Sequence, residues 1–211
     1  EAYLDAGGRL MYLGGNGFYW VTSVHASGHA VEVRKAGGCR NWTAHPAELR
    51  HSVSGQEGGL WLHRGRAPNL LTGVGFTAVG FGAGQPYRRS PESHHQHVDF
   101  VFDGVEDELI GDFGLVLGGA SGDEIDRADI GLGTPLHAVV LASSSHDDTY
   151  NPGVETEMEI VPGRGGSSNP NVRADLTIFT TARGGAVFST GSINWGGSMA
   201  WNDYTNSVSK V

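Results

Sequence analysis

The chain is 211 residues long, with 14 Lys and Arg against 23 Asp and Glu for a net charge of −9, 34 glycines and one cysteine. That length allows one domain or two small ones, and a single Cys makes neither an internal disulfide framework nor a Cys-based zinc site. The acidic balance argues against binding nucleic acid or an anionic membrane by charge, because phosphate affinity is mostly counterion release onto Lys and Arg.

No apolar run approaches the ~20 residues needed to span a bilayer, and no basic, apolar leader stands at the front. The expectation is a soluble, cytoplasmic chain with no membrane or nucleic-acid partner. Asn41-Trp42-Thr43 fits a glycosylation sequon and is read as accidental.

In chain order, Glu1-Ala2-Tyr3-Leu4-Asp5-Ala6-Gly7-Gly8 reads as the last turns of a helix stopped by a left-handed glycine. A free helix of about six residues is unstable. The chain is therefore expected to be the C-terminal part of a single catalytic domain, residues 1–211, whose N-terminal part is missing. Arg9 to Leu13 reads as a short strand, and Gly14-Gly15-Asn16-Gly17 as a tight turn into a helix beginning with Phe18-Tyr19-Trp20-Val21. Helix, strand, Gly-rich turn and helix is the α/β pattern, in which the turn sits at the carboxyl edge of a sheet, where sites collect.

Ala30 to Lys35 alternates as a strand, and Cys39 to Pro68 shows neither period, with Gly58-Gly59-Leu60-Trp61 as a buried turn. Leu70 to Phe81 is apolar and punctuated by glycine. Val98 to Val105, Leu136 to Ser143 and Val154 to Val161 read as strands. Ala174 to Thr181 and Gly185 to Thr190 fit a hairpin or a strand-turn-helix equally well. Gly191 to Gly197 reads as a Gly-rich turn, and Ala200 to Val211 as the start of a polar helix.

Several chemical motifs fail. Trp20 and Leu136 occupy the sixth positions where a dinucleotide fingerprint needs glycine, and Asp123 stands where a nucleophile elbow would have one. Cys39 lacks a strand-to-helix elbow, and the histidines of His94-His95-Gln96-His97 read as a solvated loop, because neighbours in an extended segment point to opposite faces. His146 lies just after a buried strand, a better location for a functional group. The densest constellation is Gly118 to Arg127, where Asp123, Glu124, Asp126 and Arg127 fall within five residues. It reads as a helix start in which Asp123 caps and Arg127 reaches back to it. Glu124 is then the acid left to project into a pocket as a general base or water-orienting acid.

The run Tyr3 to Trp20, the block Gly122-Asp123-Glu124-Ile125-Asp126-Arg127 and the ending Ser189-Thr190-Gly191-Ser192-Ile193-Asn194-Trp195 resemble the C-terminal domain of the N,N-dimethylformamidase large (beta) subunit family. The resemblance spans most of the chain. It implies a flavodoxin-like α/β sheet with helices on both faces, similar to class I glutamine amidotransferases, with Asn16 about where their nucleophilic Cys would stand. It implies an amidohydrolase using a mononuclear non-haem iron held by two tyrosinates and one glutamate. Those ligands lie upstream, so this chain supplies no metal ligand.

The family residues that map here are Asn16, as an amide donor to a developing oxyanion, and Glu124, as the acid and base. Phe18, Tyr19 and Trp20 are candidates to wall an apolar pocket, and His146 to contact substrate. The implied partners are a small amide such as N,N-dimethylformamide, the small (alpha) subunit, and further copies of the large subunit. The same residues also permit a noncatalytic Gly-rich α/β binding or scaffold module of a larger enzyme.

Overall fold

Short apolar alternations broken by glycine make strands and little else: 32% of the chain is strand and 17% helical. A computed structural model describes residues 1–34, 49–154, 157–158 and 162–211. Cys39, the Asn41 sequon and part of the strand expected over residues 154–161 lie outside those residues.

Helix α1 (Ala2–Asp5) ends where Gly7 turns left-handed at φ 91° and its N–H reaches the Leu4 carbonyl. The strands that follow are β1 (Arg9–Tyr12), β2 (Thr22–Val24) and β3 (Val31–Val33). Helix α2 (Asn69–Thr72) precedes β4 (Gly75–Gln85), β5 (Tyr87–Arg89), β6 (Leu109–Ile110) and β7 (Ser121–Arg127). Then come β8 (Val139–Ser145), β9 (Tyr150–Val154), β10 (Glu157–Met158), β11 (Arg173–Thr180) and β12 (Ala186–Ser189). Helices α3 (Trp195–Met199) and α4 (Ser207–Lys210) close the chain.

These strands form a six-stranded sheet in the order β1-β12-β11-β8-β5-β6, a four-stranded sheet in the order β10-β9-β4-β7, and the hairpin β2-β3. Strand β1 runs parallel to β12, with Arg9 opposite Ala186 and Tyr12 opposite Ser189, while the other pairs are antiparallel. One apolar cluster joins the two larger sheets. Leu141 and Leu176 of the first and Ile125 and Tyr150 of the second meet in it around Tyr87 and Trp195, whose rings pack edge to face at 5.7 Å.

This architecture corrects the expected flavodoxin-like, glutamine amidotransferase-like α/β fold. Such a fold needs parallel strands joined by helices on both faces, whereas α3, the longest α-helix among the described residues, has five residues. Two segments account for the misreading. Phe18 stays in the glycine turn with a left-handed backbone, φ 55°, and Tyr19 to Val21 runs from it toward the hairpin β2-β3 with Trp20 bridged to Leu60, as aromatic and β-branched residues favour. The acidic block is not a helix start but β7. Its glycines are poor helix formers, and Arg127 pairs with Asp129 at 2.7 Å instead of reaching back to Asp123.

Val98 to Val105, expected as a strand, coils into a 3-10 turn (Asp99–Phe102) that buries Val101 and Phe102. The open choice over residues 174–190 resolves to a hairpin, with Thr180 opposite Ala186.

Candidate active site

β7 is the outer strand of its sheet, paired with β4 on one side. Its other edge meets the turn that follows β12: the Asp126 N–H donates to the Gly191 carbonyl at 2.8 Å, and Ile125 bridges Ser192. The loop after β1 crosses over the same strand. An added Cβ on Gly15 would lie 2.3 Å from the Glu124 carbonyl oxygen, so only glycine allows this approach. A site is thus assembled from three distant stretches of chain where the two sheets meet.

At Asp123 the backbone of β7 turns left-handed, φ 59°, beside a break in the β4 register. Beyond it the strand alternates, so Glu124 and Asp126 share a face. Both grip Asn16. The Asn16 side-chain Nδ2 donates to Glu124 Oε1 at 3.1 Å, and the Asn16 backbone N–H donates to Asp126 Oδ1 at 2.8 Å. Asn16 is itself left-handed at φ 58°, a conformation that asparagine tolerates better than most residues. Its amide is oriented with nitrogen toward the carboxylate, as hydrogen-bond chemistry requires. Its Oδ1 is buried with no partner among the described residues.

Beneath the loop, Tyr12 donates its hydroxyl hydrogen to Asp126 Oδ2 at 2.9 Å and accepts the Gly17 N–H at 2.6 Å. Asp126 is fully buried. Burial pushes its carboxyl up to about 7, Asn16 and Tyr12 pull it back, and the nearby Glu124 adds to the rise. Burial, and then Asp126, hold the Tyr12 hydroxyl well above the ordinary phenol range, so its proton stays on oxygen.

The remaining predicted side chains separate. Phe18 is exposed, packs its ring against Tyr12 at 5.9 Å, and lines a groove of about 280 Å³ with Trp61, Ala67, Pro68 and Leu70. Tyr19 is buried edge-on against Trp20 and Phe76. His146 is buried elsewhere, with Nε2 2.8 Å from Ser121 Oγ and its ring 4.0 Å from that of Tyr150. Burial pushes its imidazole down to about 4. His94, His95 and His97 stand exposed on a turn.

The resemblance implies iron, yet among the described residues no three His, Cys, Asp or Glu side chains gather to hold a metal ion. The Tyr12 hydroxyl is already engaged within this chain, donating to Asp126 and accepting from Gly17. The described donors of this chain do not fit a metal centre. Sequence reading gave Tyr12 no role and named Asp126 only as a member of the acidic block. Placing the acidic block on a strand would have put Asp126 beside Glu124, whereas nothing local to β1 signals Tyr12.

A family model described as N,N-dimethylformamidase beta subunit-like, C-terminal, matches residues 1–206. The chain belongs to that family. The N,N-dimethylformamidase beta subunits of Paracoccus aminophilus and of an Alcaligenes species are each 44% identical to it over 214 residues. The alignments take in 100% of this chain and 28% of each relative, so the chain spans little more than a quarter of their length. Within this dimethylformamidase-type region, the loop bearing Asn16 and the strand bearing Glu124 are 108 residues apart in sequence and in direct contact in space.

Proposed function

We propose that the chain is part of an amidohydrolase that cleaves N,N-dimethylformamide or a similar small N-substituted amide to an amine and formate. The observation that carries this reading is the 3.1 Å contact between Asn16 Nδ2 and Glu124 Oε1, which sets a neutral donor beside a carboxylate at the edge of β7. Hydrolysis of an amide needs both. As water adds to the formyl carbon, charge develops on the carbonyl oxygen, and the second hydrogen on Asn16 Nδ2 can be donated to it. Glu124 accepts a proton from the water and returns one to the departing nitrogen as the C–N bond breaks. The exposed ring of Phe18, held by Tyr12, offers an apolar wall for N-methyl groups.

The name beta subunit carried by the relatives supports a multi-subunit enzyme; on this reading its other members are a small subunit and further large subunits. Iron and its ligands belong, on this reading, to other parts of that enzyme, and the steps assigned here use only this chain's residues.

The alternative is a noncatalytic scaffold, favoured by the mutual engagement of the two side chains, which would serve equally as a lock between loop and strand. The test is release of dimethylamine from N,N-dimethylformamide by the whole enzyme. Asn16→Ala should slow turnover by about a hundredfold with folding retained. Unchanged turnover would favour the scaffold.

A further inference from the structure

Asp126 occupies an unusual position for a buried acid. Its two oxygens are divided between the backbone N–H of Asn16 and the hydroxyl of Tyr12, and that hydroxyl oxygen takes the N–H of Gly17. The two peptide N–H groups flanking the Asn16 side chain are therefore both held from below. The hold is tight: an added Cβ on Gly17 would lie 2.5 Å from the Tyr12 ring and 2.7 Å from its oxygen. One residue earlier in the loop, Gly15 rests on the Glu124 backbone.

A carboxyl is a costly way to accept two hydrogen bonds in a core, and more so beside a second acid. What it offers is an acceptor on each oxygen, one for the loop and one for the tyrosine that supports the loop. With its proton fixed, Tyr12 transfers nothing and acts by orientation.

We infer that Asp126 and Tyr12 are positioning residues that fix the left-handed turn at Asn16, so that its amide faces Glu124, while neither touches substrate. This inference rests on the catalytic reading of Asn16 and Glu124. The Tyr12–Asp126 pair is the rigid support and the Asn16 amide the working group. A turn left without these acceptors would sample other conformations, and turnover would fall more than substrate binding.

The test is steady-state hydrolysis of N,N-dimethylformamide by the whole enzyme carrying Tyr12→Phe, Asn16→Ala and the pair together. Tyr12→Phe should lower kcat about five- to tenfold, the effect of one lost hydrogen bond, with KM changed less than about twofold. If Tyr12 acts through Asn16, the double variant should be no slower than Asn16→Ala alone. A double variant slower by the whole Tyr12→Phe factor would show an independent structural effect and overturn the inference. So would unchanged kcat in Tyr12→Phe.

Asp126→Asn is the second arm. It keeps an acceptor for Asn16 but turns an N–H₂ toward Tyr12, so kcat should drop, and Tyr12→Phe should add nothing to that drop. Full additivity in this pair would also overturn the inference. Should Asn16→Ala itself retain full turnover, the catalytic reading fails and the positioning role with it. A slow Asn16→Ala beside a normal Tyr12→Phe would remove the positioning role alone.

Discussion

Gly15 rests directly on the backbone carbonyl of Glu124, close enough that a Cβ would stand 2.3 Å from the oxygen and 2.9 Å from the carbon. Backbone cannot yield as a flexible side-chain end can. Gly15→Ala should therefore lift the loop from β7 and part Asn16 from Glu124. Turnover by the whole enzyme should fall at least as far as in Asn16→Ala, about a hundredfold. A Gly15→Ala enzyme of normal rate would show that the loop does not need this contact.

Asn16 carries both a side-chain role and a left-handed backbone, and two substitutions separate them. Alanine pays roughly 1–2 kcal/mol in that conformation and glycine does not. Asn16→Gly should match Asn16→Ala in lost turnover yet melt at a higher temperature. Equal melting temperatures would mean the turn relaxes when the side chain is removed.

The carboxyl of Asp126, raised from 3.8 to about 7, makes stability depend on pH in a set direction. Between those values the folded protein keeps a proton that the unfolded chain gives up. The contribution is full below 3.8 and is lost as pH rises through about 7. Relative to wild type, Asp126→Asn should therefore be more stable at about pH 8 than at about pH 5 in paired thermal melts. A constant difference across that window would contradict the assignment.

His146 gives the opposite slope, because its imidazole falls from 6.5 to about 4 on burial. The neutral ring is favoured in the fold, so its contribution is present above 6.5 and lost as pH falls through about 4. His146→Gln should cost stability near pH 7.5 and progressively less toward pH 4.5 in the same melts. A cost independent of pH would mean that the ring stays solvated.

Where patterns were local, the sequence was legible. The helix stop at Gly7, strand β1 and the glycine turn after it follow from propensity over a few residues. Pairing was not legible, because Arg9 to Tyr12 looks the same whether its neighbour is parallel through a helical crossover or, as here, β12 from the far end of the chain. The acidic block shows the limit most clearly. Read at helical spacing it joined Asp123 to Arg127, whereas at strand spacing it joins Glu124 to Asp126, and glycines alone did not decide between them.

The likeness to dimethylformamidase drew attention to Asn16 and added to the residue-level reading of Glu124, and it shared the wrong fold expectation with the local helix-strand-turn pattern. Tyr12 was invisible because its duty depends on Asp126, 114 residues away.

The most direct test of the account is turnover of N,N-dimethylformamide by the whole enzyme with Glu124→Gln, a change that keeps the side chain's shape and removes its proton transfer. The amide can still face Asn16 across the 3.1 Å contact, so folding should survive. Catalysis should fall by roughly two to four powers of ten. A folded Glu124→Gln enzyme that releases dimethylamine at the wild-type rate would contradict the assignment of Glu124 as the acid and base.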